Sequence, residues 1–115
     1  MFKTGIFAVK SVAVVAGMVA FFSGAHISRA DIDAKKLYMT HCVACHDAYG
    51  KPTDIGAALE SSDLSDAAWQ AKTTDEQIIR QINDGTPEKM EPFKEKLSPD
   101  EINALVPVVR SFGKK

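Results

Sequence analysis

Only two cysteines occur in the chain, Cys42 and Cys45, and both fall in the run Cys42-Val43-Ala44-Cys45-His46. On a helical turn, positions three and four apart share a face, so one turn presents two thiols and an imidazole together. Two sulfurs at that spacing can reach neighbouring vinyl groups on one porphyrin edge, while His46, four after Cys42, turns its ring toward the iron. This C-x-x-C-H pattern is the one used for covalent haem attachment. Two thioethers would make cofactor loss a matter of breaking bonds, not of dissociation. His46 is then the proximal iron ligand, and its other ring nitrogen needs an acceptor that fixes the ring. The turn Gly50-Lys51-Pro52 is the nearest candidate for that acceptor.

Three other chemistries compete for the same residues. A Cys42–Cys45 disulfide would close a short, strained loop and remove little chain entropy. A thioredoxin-like pair needs a βαβ setting, yet Asp33 to Met39 is helical in composition. Zinc wants four ligands, and after residue 30 the chain offers only these two cysteines with His41 and His46, too close in sequence to close a tetrahedron easily. Haem is the reading these residues favour.

A haem iron held by one histidine has a second axial position to fill. After residue 30 the methionines are Met39 and Met90. Met39 lies three before Cys42 on the same expected helix, which makes it a core side chain and not a ligand. Met90 sits between Pro87 and Pro92, in a loop far in sequence from His46 that can wrap the other haem face. A gap-filling or exposed methionine is the plainer alternative. A thioether in that position favours ferrous iron and raises the potential; a labile sixth position would instead suit a gas sensor or a weak peroxidase.

The remaining residues bound the setting. The chain has 115 residues, 45% apolar and 25% charged, with 14 Lys+Arg against 15 Asp+Glu, which allows one compact domain. Ser11 to Ala25 carries no charged residue, follows Lys3 and Lys10, and leads to Ser28-Arg29-Ala30, the layout of a secretory signal cleaved before Asp31. The stretch is shorter than the roughly 20 apolar residues that cross a bilayer, so an uncleaved anchor is the lesser alternative. We expect residues 1–30 to be a signal peptide and residues 31–115 to form one exported, periplasmic domain with no membrane span. Losing Lys3, Lys10 and Arg29 takes the formal charge from −1 to −4, the wrong sign for a nucleic-acid binder. So short a domain needs a staple, and a covalent haem is one.

Local signals supply the elements that hold these groups. Asp33 caps a helix that runs into the Cys42–His46 turn. Residues Ile55 to Leu59 form a short segment without a firm assignment, and Asp66 or one of its neighbours opens a short helix through Trp69. Thr74 with Gln77 makes a capping box for a helix whose Ile78, Ile79 and Ile82 share a face and which Gly85 ends. Ser98-Pro99-Asp100-Glu101 starts a last helix whose Ile102, Leu105, Val106, Val109 and Phe112 recur at helical spacing and pack against Leu37 and Tyr38. Charges around Met90 alternate in sign, which marks a wetted face.

From residue 31 onward the chain resembles the small bacterial class I cytochromes c, monohaem electron carriers. The resemblance rests on the helix leading into Cys42-Val43-Ala44-Cys45-His46, the lone Trp69, the segment Thr74 to Gly85, the Met90 loop and the final amphipathic helix. It implies an all-α fold of three to four main helices around one covalently attached haem c, with first and last helices crossing beside it. It implies His46 and Met90 as the axial pair and Trp69 as a contact to a haem propionate. It implies a one-electron carrier between larger redox proteins, not an enzyme; a dedicated electron-accepting subunit of a periplasmic dehydrogenase or oxidase would share that chemistry. Two departures stand out. Glu91 separates Met90 from Pro92, where proline usually follows the methionine directly. Pro107 lies inside the last helix, where it removes the N–H due to Asn103, costs about 3 kcal/mol and should kink the helix.

Overall fold

The computed structural model describes residues 31–114 together with residues 13 and 16–18; the expected signal segment otherwise lies outside the described residues. The fold is helical, as expected: α1 (Ala34–His41), α2 (Asp54–Ala58), α3 (Ala67–Lys72), α4 (Asp75–Asp84) and α5 (Pro99–Ser111). Among the described residues the only β pairing is two isolated bridges, His46 with Pro52 and Thr86 with Met90. Both bridges flank the residues singled out for chemistry.

Each helix begins with a side chain that accepts a backbone N–H: Asp33 from Lys36, Thr53 from Gly56, Asp66 from Trp69, Thr74 from Gln77 and Ser98 from Glu101. The last two are full capping boxes, with Gln77 and Glu101 reaching back to the cap N–H groups. Capping of this kind satisfies donors that the first turn cannot, and it lets helices as short as α2 and α3 start at fixed residues.

Helix α5 packs on both α1 and α4. Ile102, Leu105, Val106 and Val109 are buried with Tyr38, Ile78, Ile82, Phe93, Leu97 and Leu64, and the Tyr38 and Phe112 rings lie 4.9 Å apart. Helix α5 continues through Pro107, which faces solvent, so the carbonyl left without an N–H partner is not sealed in the core. Met39 departs from its expected place in the core: it is 47% exposed, because α1 turns Tyr38 inward and the next residue outward.

One network fixes the α3–α4 corner against α5. Arg110 donates to the Gln70 carbonyl and Oε1 (both 2.9 Å), to the Thr73 carbonyl (2.6 Å) and to Asp75 (2.8 Å). Gln70 in turn donates to the carbonyls of Leu64 (2.7 Å) and Val109 (2.9 Å). Backbone acceptors at two loop ends are thereby tied to the last helix. Among the described residues no helix is long and apolar enough to cross a membrane.

Candidate functional site

Helix α1 ends where the chemistry begins. Cys42 is its C-cap and donates its N–H to Tyr38, and the next turn closes through Cys45 N–H (3.2 Å) and His46 N–H (2.9 Å), both donating to the Cys42 carbonyl. Behind the turn, the Tyr38 hydroxyl donates to the carbonyls of Asp47 (2.8 Å) and His46 (3.2 Å). Asp47 Oδ1 accepts from Tyr49 N–H and Lys51 N–H, which folds the following loop back so that His46 and Pro52 pair.

Helix α2 then presses directly on the turn. Thr53 donates its N–H to the Cys45 carbonyl (2.9 Å) and its hydroxyl to the Ala44 carbonyl (2.6 Å). Gly56 lies so close that a Cβ there would stand 2.0 Å from the Cys45 oxygen. Neither contact was foreseen from sequence, because a glycine in a five-residue helix gives no local sign of what it must lie against.

Cys42, His46 and Met90 line one cavity of ≈ 260 Å³. Its walls are mostly apolar, with Leu64, Ile78, Ile82, Leu105 and Val109 joined by the half-buried Trp69. Cys45 does not line it but stands half-buried one turn away. Both cysteines are free thiols. Among the described residues no three His, Cys, Asp or Glu side chains converge as a metal site.

Met90 reaches this cavity from a tightly built loop. Thr86 and Met90 exchange backbone hydrogen bonds at 2.8 and 2.9 Å, Glu88 takes φ +62° to close the turn, and Gly85 at φ +62° passes where a Cβ would lie 2.2 Å from the Met90 carbonyl oxygen. Only glycine meets both the left-handed backbone and that clearance. Gln81 of α4 donates its side-chain amide to the Met90 sulfur (3.4 Å) and to the Thr86 hydroxyl (2.8 Å). Three lysines around Met90 are paired: Lys89 with Glu60, Lys94 with Asp84 and Lys96 with Glu91. Lys89 and Glu60 both line the cavity, so their pair joins the Met90 loop to the loop after α2.

Burial dominates the electrostatics. It pushes the Cys42 thiol up to about 11, helped by Cys45, and drives the Tyr38 phenol still further above its ordinary value. It lowers the His46 pKa, against a smaller opposing pull from the Ser62 backbone. His46 Nδ1 is buried without a hydrogen bond of good geometry. The His46–Pro52 bridge is made by Asp47 N–H to the Lys51 carbonyl and Thr53 N–H to the Cys45 carbonyl, so it brings the expected Gly50–Pro52 turn alongside His46 without a bond from Pro52 to the ring.

These residues fit a haem. A neutral, buried imidazole and a thioether share an apolar cavity with one of two thiols that a single turn presents, and no buried charge opposes them among the described residues. A sequence model described as "Cytochrome C oxidase, cbb3-type, subunit III" matches residues 29–107. The chain is 29% identical over 114 residues to the "Cbb3-type cytochrome c oxidase subunit FixP" of Bradyrhizobium diazoefficiens, covering 96% of this chain but only 38% of that relative. Among solved structures, the "KustC0563 c-type cytochrome" is 61% identical, with a TM-score of 0.71 over 72% of this chain and 100% of its own. A tyrosine-to-phenylalanine variant of that protein is 60% identical, with a TM-score of 0.69 over 70% of this chain and 99% of its own.

Proposed function

Because the chain belongs to the cytochrome c family of cbb3-type oxidase subunit III, we propose that it is an exported monohaem carrier passing single electrons between larger redox proteins. Residues 1–30 direct export to the periplasm, and residues 31–115 form the carrier domain. Cys42 and Cys45 attach one haem c, His46 and Met90 are its axial ligands, and Trp69 contacts a propionate. The observation that carries this reading is the meeting of Cys42, His46 and Met90 at one apolar cavity.

A haem held there supplies a reversible one-electron couple. The protein's part is to keep the surroundings the same in both oxidation states. Tyr38 and Thr53 pin the attachment turn through its carbonyls, and the Thr86–Met90 pair holds the sulfur-bearing loop. The apolar side chains that α4 and α5 place on the cavity, Ile78, Ile82, Leu105 and Val109, lower the polarity around a bound haem, which disfavours the more highly charged ferric state and raises the potential. His46 and Met90 would both hold the iron of such a haem, which would leave no place there for substrate and distinguish a carrier from a sensor or peroxidase.

The test is an intact mass and absorption spectrum of protein exported from a host that matures c-type haem. One haem added to residues 31–115, with a far-red band from methionine on ferric iron, is expected. Met90→Ala should abolish that band and lower the potential; an unchanged spectrum would remove Met90 from the site, and a colourless polypeptide would end the reading. A second reading is favoured by the family description and by the oxidase subunit among its relatives: the chain would work as a dedicated electron-transfer subunit of one oxidase or dehydrogenase. Co-purification of a fixed partner would select it.

A further inference from the structure

We infer that Gln81 is a positioning residue for Met90, its amide N–H donating to the thioether sulfur and so setting both the hold and the electron-donating strength of that sulfur. The inference rests on Met90 being the sixth ligand. Helix α4 carries Ile78 and Ile82 into the core and sets Gln77 and Gln81, one turn apart, on the cavity wall. Gln77 is committed to the capping box, its Oε1 accepting from Thr74 N–H at 2.8 Å. Gln81 is left to face the Met90 loop, with Nε2 2.8 Å from Thr86 Oγ1 and 3.4 Å from Met90 Sδ.

The chemistry fixes which end of the amide faces the sulfur. A thioether accepts and never donates, so only nitrogen can serve it. An amide nitrogen carries two protons, one for Thr86 and one for Met90. Thr86 thus orients the amide, and the Thr86–Met90 backbone pair keeps hydroxyl and sulfur at a constant offset. A thioether sulfur has two lone pairs. A donor on one leaves the other for iron, and which one is taken determines the side from which the methionine approaches. By drawing density from sulfur, the same bond weakens its donation to ferric iron more than to ferrous and raises the potential.

Gln81 is exposed, so water can partly replace it, and the effect is that of one modest hydrogen bond. In the holoprotein, Gln81→Leu keeps the length of the stem and removes the donor. The far-red methionine band should persist but shift. The oxidised-to-reduced ratio at fixed poise should rise about three- to tenfold, a lower potential by about 30–59 mV at ~59 mV per tenfold for one electron. Displacement of Met90 from the ferric iron by added imidazole should become harder by a similar factor, because the freed sulfur donates more strongly. Thr86→Val, which frees the amide to rotate, should move potential and displacement the same way by less, and it carries the test if the leucine variant does not accumulate. Arg80→Ala, on the neighbouring exposed position, is the control. A potential and a displacement constant within about twofold of wild type in both variants, or an equal shift in the control, would overturn the inference. If wild-type protein itself lacks the band, it is the Met90 reading that fails.

Discussion

Replacing Gly56 by Ala tests whether α2 is a structural clamp on the attachment turn. The added Cβ would lie 2.0 Å from the Cys45 oxygen, 2.9 Å from its carbonyl carbon and 3.1 Å from Ser61 Oγ. An ordinary C···O contact is about 3.3 Å or more, and two of the three neighbours are backbone, so α2 must retreat by roughly 1 Å. Thr53 N–H to Cys45 at 2.9 Å would then pass the range of a real hydrogen bond, and the Thr53 hydroxyl bond to Ala44 would stretch with it. Two bonds at about 1 kcal/mol each and overpacking of about 1–3 kcal/mol oppose a propensity gain of about 1 kcal/mol for alanine in a helix. The expected net loss is about 2–4 kcal/mol. Denaturant unfolding of the holoprotein followed by far-UV circular dichroism measures it. Ala57→Gly is the control: Ala57 is exposed on the same helix and should cost about 1 kcal/mol by propensity alone. Should the alanine variant unfold within about 0.5 kcal/mol of wild type, or the control prove the worse, the clamp does not exist.

The other predictions concern the groups that hold the site from behind. Arg110→Lys should cost about 1.5–3 kcal/mol in the same assay, since a point charge cannot replace a fork shared among the Gln70 and Thr73 carbonyls and Asp75; Asp75→Ala, removing only the exposed partner, should cost under about 1 kcal/mol. Tyr38 makes stability fall in alkali. Burial, the largest cause, raises its folded pKa above the ordinary 10.0, so the contribution is complete below about pH 10 and is lost as pH rises beyond it toward the folded value. The smaller part due to Cys42 vanishes once that sulfur is a thioether, but the part due to burial does not. Tyr38→Phe should flatten this alkaline decline while lowering stability at neutral pH by about 1–2 kcal/mol, because the Asp47 and His46 carbonyls lose a donor. An unaltered decline in the phenylalanine variant would assign it to other groups.

What sequence made legible here was whatever is decided within a turn or two of chain. Asp33, Thr74 and Ser98 announce their helix starts because N-capping is a contact between residues three apart, Gly85 announces an end because glycine takes the positive φ found there, and all four stand where those signals put them, with Asp66 the start among the neighbours that offered one. The buried face of α5 was legible for the same reason, since period alone defines it. Met39 went the other way: one residue from an inward tyrosine, its side is set by the tilt of α1 on α5, which no local pattern records. Helix α2 escaped because five residues hold too little period, although its Thr53 cap was present. Gly56 and Gln81 were illegible in a stronger sense. Each acts on an atom that sequence separates from it by nine or more residues, Gly56 on Cys45 and Gln81 on Met90, and nothing in "Gly" or "Gln" names the partner.

That division has a consequence for how the site is built. The groups that would bond to the cofactor occupy a five-residue motif and one loop position, so they can be found by type and spacing. The groups that tune them sit on other elements and act through backbone carbonyls and a sulfur lone pair: Thr53 and Gly56 on the Cys42–His46 turn, Tyr38 behind it, Gln81 on Met90. Two chains with identical C-x-x-C-H and methionine positions can therefore differ in potential and in the lability of the sixth ligand without differing at any bonding residue. In this chain the difference would be carried by α2 and α4, and it is there, not at Cys42, Cys45 or His46, that substitution should move the potential while leaving the cofactor attached.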